Sequence, residues 1–200
     1  VLAAESGEES DMIKATQQII TNCSFGKVDG ESLPIFDMQK VFIELRKISV
    51  SDKIAARFKC GNEECGKSID IDISLDTFEL KTFEEHDPIC KINDKLTIEM
   101  RYPTAKELSE IAGANNQAEL YNVAAQCMET LHMGDETVSG EDISIEDRIE
   151  FIDNMTSGQF DILKKFFESM PVVENEISFK CPHCETQNQI YMNGYLDFFA

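Results

Sequence analysis

Apolar residues recur along this chain with two different periods, and the periods divide it into regions. Between residues 37 and 49, Val41, Phe42, Leu45 and Ile48 fall at i, i+1, i+4 and i+7. That spacing predicts one stripe of an α-helix, with Asp37 as its N-cap. Residues 12–20 are apolar without a clear period, and helix and strand both stay open. From residue 53 the pattern changes. Residues 53–59 read as a strand that runs into Cys60, and beyond Cys65 the residues Ile69, Ile71 and Ile73 alternate with Asp70, Asp72 and Ser74. Strict alternation predicts a half-buried strand with its carboxylates toward water. Residues 77–83 and 96–102 are further strand candidates, with turn and short strand between them.

Pro103 ends this pattern. Thr104 and Glu107 have the spacing of a capping box, which predicts a helix at residues 105–112. Leu120, Val123, Ala124, Cys127 and Leu131 continue helical spacing over 116–131, and Gly134 closes it. Residues 134–142 read as a loop. A third helix opens at Ser144 or Ile145. Thr156 and Gln159 make a second capping box, the stripe Phe160, Leu163, Phe166 and Phe167 follows, and Pro171 stops the run. Strand character returns at 177–180 and 189–192.

Two short cysteine regions sit in the strand-like parts. The first is Arg57-Phe58-Lys59-Cys60, then Cys65, Ile69 and Ile71. The second is Ser178-Phe179-Lys180-Cys181, then Cys184, Ile190 and Met192. Each reads as strand, Phe-Lys-Cys, tight turn, Cys and strand, so the pattern occurs twice in one chain. A tight turn between strands lets two thiolates converge on one ion while backbone N–H groups point at the sulfurs. Two such turns supply the tetrahedral four-sulfur set of a structural zinc, with no position left for substrate. Cys60, Cys65, Cys181 and Cys184 are therefore the candidate ligands of one zinc per chain, and metal binding would contribute folding energy. The competing readings are four free thiols or a redox disulfide between Cys181 and Cys184. A redox Cys-x-x-Cys opens a helix, whereas here a strand follows. If both turns share one ion, the strands around them lie together and the segment between leaves and returns at nearly one place.

The expected fold class is thus α+β: a β-rich, zinc-ribbon-like domain over residues 12–102 and 172–200, interrupted by an α-helical insertion at 103–171. Residues 1–11 are small, polar and acidic and read as a disordered tail. Val1 in place of Met points to trimming or to a start upstream.

Charge narrows the function classes. With 18 basic and 38 acidic residues, the net charge is −20. Phosphate affinity needs clustered Lys and Arg, so no nucleic-acid partner is expected, nor adsorption to an anionic membrane. No run of about 18 apolar residues exists to span a bilayer. Residues 129–176 hold 13 acids and three bases, half of the net charge. They read as a solvated face or as a docking surface for a basic segment. No nucleophile elbow, P-loop, dinucleotide glycine pattern or His-Glu-x-x-His motif occurs, so no enzyme is expected.

The remaining candidates read as structural. His183, between two cysteines, is expected to point outward. His86 and Cys90 are four apart but lack partners for a second metal site. Cys127 reads as core, and His132 has no catalytic partner. Cys23 stays unplaced.

Several segments together resemble a known family. They are Leu33-Pro34-Ile35-Phe36-Asp37, Leu45-Arg46-Lys47-Ile48-Ser49-Val50, the first cysteine pair, Tyr102-Pro103-Thr104, Phe166-Phe167-Glu168-Ser169-Met170-Pro171, Cys181-x-x-Cys184, and Gly194 with Phe198-Phe199. Their order is similar to the baseplate-hub proteins of T-even-type contractile-tailed phages. The resemblance implies a non-enzymatic structural or chaperone-like assembly protein of the hub. Its partners would be phage tail proteins, including hub and tape-measure proteins. It would act in the host cytoplasm during assembly, with the virion tail baseplate as a further location. A different reading of the same acidic ribbon is a regulator that binds a transcription complex.

Overall fold

A computed structural model describes residues 9–107 and 117–193. The chain is α+β, and its described residues fall into two compact units. The first takes residues up to Gly30, then Phe36–Lys81 and the segment from Val172; the second takes Glu31–Ile35 and Thr82–Pro171.

The first described element is helix α1, Glu9–Cys23, which resolves the undecided segment 12–20 as helix and takes in residues 9–11 of the expected disordered tail, whose other residues lie outside the described ones. Ile13 and Ile20 are buried, seven residues apart on one face. The chain then turns back on α1. The Gly30 amide donates to Thr21 Oγ1 at 3.0 Å, and a Cβ at Gly30 would collide with the Gln17 carbonyl. Helix α2, Ile35–Ser49, starts two residues before the expected cap, so Asp37 lies in its first turn. There its carboxylate meets the positive end of the helix dipole. Met38, Phe42 and Ile43 are its buried face, while Ile48 points to solvent.

Strands β1, Lys53–Lys59, and β2, Ser68–Ser74, form an antiparallel hairpin in continuous register from Lys53↔Ser74 to Lys59↔Ser68. On β2, Ile69 and Ile73 are buried and Asp70 and Asp72 exposed, as the alternation predicts. A 3₁₀ turn, Leu75–Thr77, leads to the short strand β3, Glu79–Lys81. The segment expected as one strand over 77–83 is thus strand only at its centre.

The second unit holds a four-stranded antiparallel sheet in the order β4-β5-β6-β7. Its strands are β4 (Ile89–Asn93), β5 (Leu96–Met100), β6 (Met128–Met133) and β7 (Glu136–Ser139). Helices α3 (Gln117–Gln126), α4 (Ile145–Asp153) and α5 (Ser157–Glu168) belong to the same unit. Its core gathers Ile92, Ile98, Met100, Val123, Met128 and Leu131 from α3 and the sheet with Ile152, Leu163 and Phe166 from α4 and α5.

Both capping boxes are formed. Thr104 N–H donates to Glu107 Oε2 at 2.8 Å, and Glu107 N–H returns to Thr104 Oγ1 at 3.2 Å. Thr156 and Gln159 make the same exchange at the start of α5. The helix opened by Thr104 runs from Ala105 to the edge of the described residues, so most of its expected span lies outside them.

The segment 103–171 is not purely helical. The stripe read as one helix over 116–131 breaks after Gln126, and Met128 begins β6. Cys127, Met128 and Leu131 suit either period, and β5 decides between them by pairing Thr97↔His132 and Ile98↔Leu131. Gly134, expected to close a helix, instead opens the two-residue turn between β6 and β7 at φ +64°. Glycine takes that left-handed angle without steric cost. Strands β4 and β5 pair with β6, not with the cysteine hairpins.

The chain returns to the first unit in β8, Val172–Lys180, and β9, Gln187–Asn193. They pair in register from Glu174↔Asn193 to Lys180↔Gln187, and β3 adds to the other edge of β8. The first unit therefore contains two hairpins, β1–β2 and β8–β9, each carrying a cysteine pair in its turn.

Candidate metal centre

The two turns are built alike although they differ by two residues in length. In each, the first cysteine closes the hairpin: Cys60 N–H donates to Lys67 O, and Cys181 N–H to Thr186 O, both at 2.9 Å. In each, the residue after the second cysteine takes a left-handed conformation, Gly66 at φ +53° and Glu185 at φ +61°. Glycine suits that position, whereas Glu185 takes it against its Cβ. Its amide donates to Cys181 O at 2.9 Å, as Gly66 N–H does to Asn62 O. The left-handed residue turns the chain back into the returning strand.

Each sulfur meets the amide two residues further on. His183 N–H donates to Cys181 Sγ at 3.4 Å. The Asn62, Lys67 and Thr186 amides stand in the same relation to Cys60, Cys65 and Cys184, and each favours the thiolate. Amides aimed at sulfur stabilise negative charge there. The shared i+2 spacing therefore favours the thiolate at Cys60, Cys65 and Cys184.

The four sulfurs converge. All lie within 4.8 Å of one another, a set able to hold a metal ion, and they form the one such group among the described residues. Cys60 and Cys184 are 3.6 Å apart, and Cys65 and Cys181 are 3.8 Å apart. Tetrahedral zinc bonds of about 2.3 Å put sulfurs roughly 3.8 Å apart, so the spacing fits such an ion. Cys60 and Cys181 are buried, and Cys65 and Cys184 half-buried. Ile69, Ile71 and Phe179 pack beside them, and Phe58 meets Phe179 with ring centroids 6.2 Å apart. The two Phe-Lys-Cys repeats thus place their phenylalanines together.

The thiols respond unequally to this crowding. The Thr186 hydroxyl, 3.3 Å from Cys184 Sγ, acts with the Thr186 amide to bring that thiol down to about 6. At Cys65 the Lys67 amide lowers the pKa, but burial and the other three thiols outweigh it and push it up to about 11. At Cys60 the Asn62 amide likewise lowers it, and burial with Cys184 and Cys181 carries it above the ordinary thiol value. Without a cation, four adjacent sulfurs resist full ionisation because each thiolate repels the next. A divalent ion removes that repulsion and displaces the protons.

A polar residue that the sequence pattern passed over ties the turns together. Asn188 is 8% exposed on β9. Its Oδ1 accepts from the Gly61 amide at 2.8 Å, and its Nδ2 donates to Thr186 O at 2.9 Å. Asn62 Nδ2 adds a weaker contact to Thr186 Oγ1 at 3.4 Å. Alternation puts Asn188 on the inward face with Ile190 and Met192, and a polar residue there is the signal that could have revealed it.

The other candidates lie elsewhere. His183 is exposed, as expected. His86 Nδ1 lies 2.9 Å from Ser169 Oγ and Nε2 2.9 Å from Tyr102 OH. It joins no metal group with Cys90, which is buried with its thiol pushed up to about 11 by desolvation. Cys127 is fully buried in the second unit's core. His132 Nδ1 lies 3.2 Å from Thr137 Oγ1 on the neighbouring strand. Cys23 is exposed at the end of α1. Phe198 and Phe199 lie outside the described residues.

A family model described as T4 bacteriophage base plate protein matches residues 1–200, the whole length of the chain. No curated protein and no solved structure matches it.

Proposed function

The chain belongs to the T4 bacteriophage base plate protein family, and on that premise we propose that it is a non-enzymatic structural or assembly protein of the baseplate hub, held by one structural zinc. Family membership ties it to the phage tail and to other tail proteins as partners. The hub, a chaperone-like part in assembly and action in the host cytoplasm are our extensions of that membership. The single observation that carries the metal assignment is the convergence of Cys60, Cys65, Cys181 and Cys184 within 4.8 Å. The amide aimed at each sulfur supports it.

In this reading the ion joins two hairpins whose cysteines are more than a hundred positions apart. All four ligands come from this chain, so the set is closed and leaves no position for substrate. Zinc would supply cross-linking and charge neutralisation. The chain's own residues do the rest: Asn188 fixes the spacing of the turns, and Phe58 and Phe179 cover one side. The acidic surface then suits a partner that brings positive charge.

The test is co-assembly. The zinc-loaded chain should enter a complex when the other hub proteins of its phage are produced together. Failure to enter any complex while those proteins assemble into hubs without it would overturn the proposal. Recovery with a host transcription complex, and not with tail proteins, would favour a regulator instead.

A further inference from the structure

In the second unit, α3 packs against α4. Between them lies an open groove of about 660 Å³. Among the described residues its apolar lining is Ala118 and Tyr121 on α3 with Ile149 on α4, and its acidic lining is Glu146, Glu150 and Asp153. The Tyr121 ring is held by Phe160 of α5, edge-on with centroids 4.8 Å apart. The acids fall at i, i+4 and i+7 of α4, so they stand in one row about 10 Å long. All three are exposed, and none pairs with a cation among the described residues.

We infer that this groove docks a basic amphipathic helix of another tail protein, its apolar stripe on Tyr121 and Ile149 and its Lys or Arg residues along Glu146, Glu150 and Asp153. Charge complementarity selects this occupant. A helix repeats its side chains at the spacing of the acidic row, so one face can meet three carboxylates while the adjacent stripe covers the apolar lining. A second copy of this chain is a poor fit, because 38 acids face 18 bases in each. The neighbouring segment 108–116 carries Glu110 and no Lys or Arg, so it cannot answer the row. The inference rests on the base-plate reading only for the partner's being a tail protein; the groove's chemistry stands apart from it.

The experiment uses the full-length, zinc-loaded chain. The probe is a labelled synthetic helix of Leu, Ala and Lys with three lysines beside a leucine stripe, and its control has Glu for Lys. The lysine helix should bind and shift NMR signals of α3 and α4. Combined Glu146→Gln, Glu150→Gln and Asp153→Asn should weaken it about tenfold. The matched variant Glu84→Gln, Asp135→Asn and Glu136→Gln should bind as the parent does. Because all six sites are exposed, folding is retained and a circular-dichroism spectrum checks it. Absent binding, equal binding by the groove variant, or equal loss in the matched variant would each overturn the docking site. So would self-association of the chain that blocks the groove. Co-assembly separates the two claims: a groove variant that still enters the hub refutes the groove's role there and leaves the base-plate reading intact. A groove that binds the peptide in a chain that enters no hub does the reverse.

Discussion

Asn188 does for the two turns what a cross-link would do, with two hydrogen bonds from one amide. Replacing it by alanine leaves the Gly61 N–H and the Thr186 carbonyl without these partners. Removing one partner of a buried polar pair costs about 1–3 kcal/mol. Asn188→Ala should therefore lower the urea midpoint of the zinc-loaded chain, and an unchanged midpoint would show that the turns do not need the bridge. The cysteines give a second prediction at this scale. Cys127 is fully buried with its thiol pushed up to about 12, and Cys90 is buried with its thiol at about 11. Burial disfavours the thiolate in both, and the thiolate is the reactive form. Iodoacetamide at pH 8 should label Cys23 in the native protein and spare Cys90 and Cys127. Mass spectrometry reads the result, and labelling of either buried thiol would contradict the packing described. The four candidate ligands were legible as residues because Cys-turn-Cys between strands is a local pattern. The amides at the sulfurs were expected from the turns alone, but the Asn188 bridge was not, since it depends on two distant turns being adjacent.

Elements were legible where one period dominated and ambiguous where two fitted. The alternating isoleucines of β2 and the Thr-x-x-Gln box of α5 each had one reading. The segment after Gln126 had two, and its neighbour β5 chose. The capping boxes make a further prediction. Thr156→Ala removes an N-cap and should cost about 0.5–2 kcal/mol in thermal or denaturant unfolding. The first box also carries a pH signature. Glu107 binds Arg101 through both carboxylate oxygens and accepts from Thr104 N–H. Burial raises its pKa, but the Arg101 and Thr104 bonds outweigh that and hold the carboxyl below its ordinary 4.5. A depressed folded pKa adds stability that is complete above the unfolded value and is lost as pH falls through the folded one. Glu107→Gln should thus be less stable than the parent at pH 7 and converge with it in acid. A gap that stays constant from pH 7 to pH 3 would contradict the ion pair's role.

Across the whole molecule, charge and chain path act together. The net charge of −20 repels itself, and salt screens that repulsion. The α+β class and the return of the chain to the cysteine hairpins followed from the two-copy pattern. The pairing of β5 with β6 did not, because the residues of β6 read as the end of a helix and pairing between distant segments has no local sequence signal. What the two hairpins share is the four-sulfur set, so the central claim is that one ion holds them together. The most direct test is metal analysis by native mass spectrometry of the reduced chain produced with zinc supplied. About one zinc per chain is expected, lost in Cys60→Ser and in Cys184→Ser together with a drop in unfolding temperature. A folded, reduced chain that carries no metal, or one that cycles a Cys181–Cys184 disulfide instead, would contradict it.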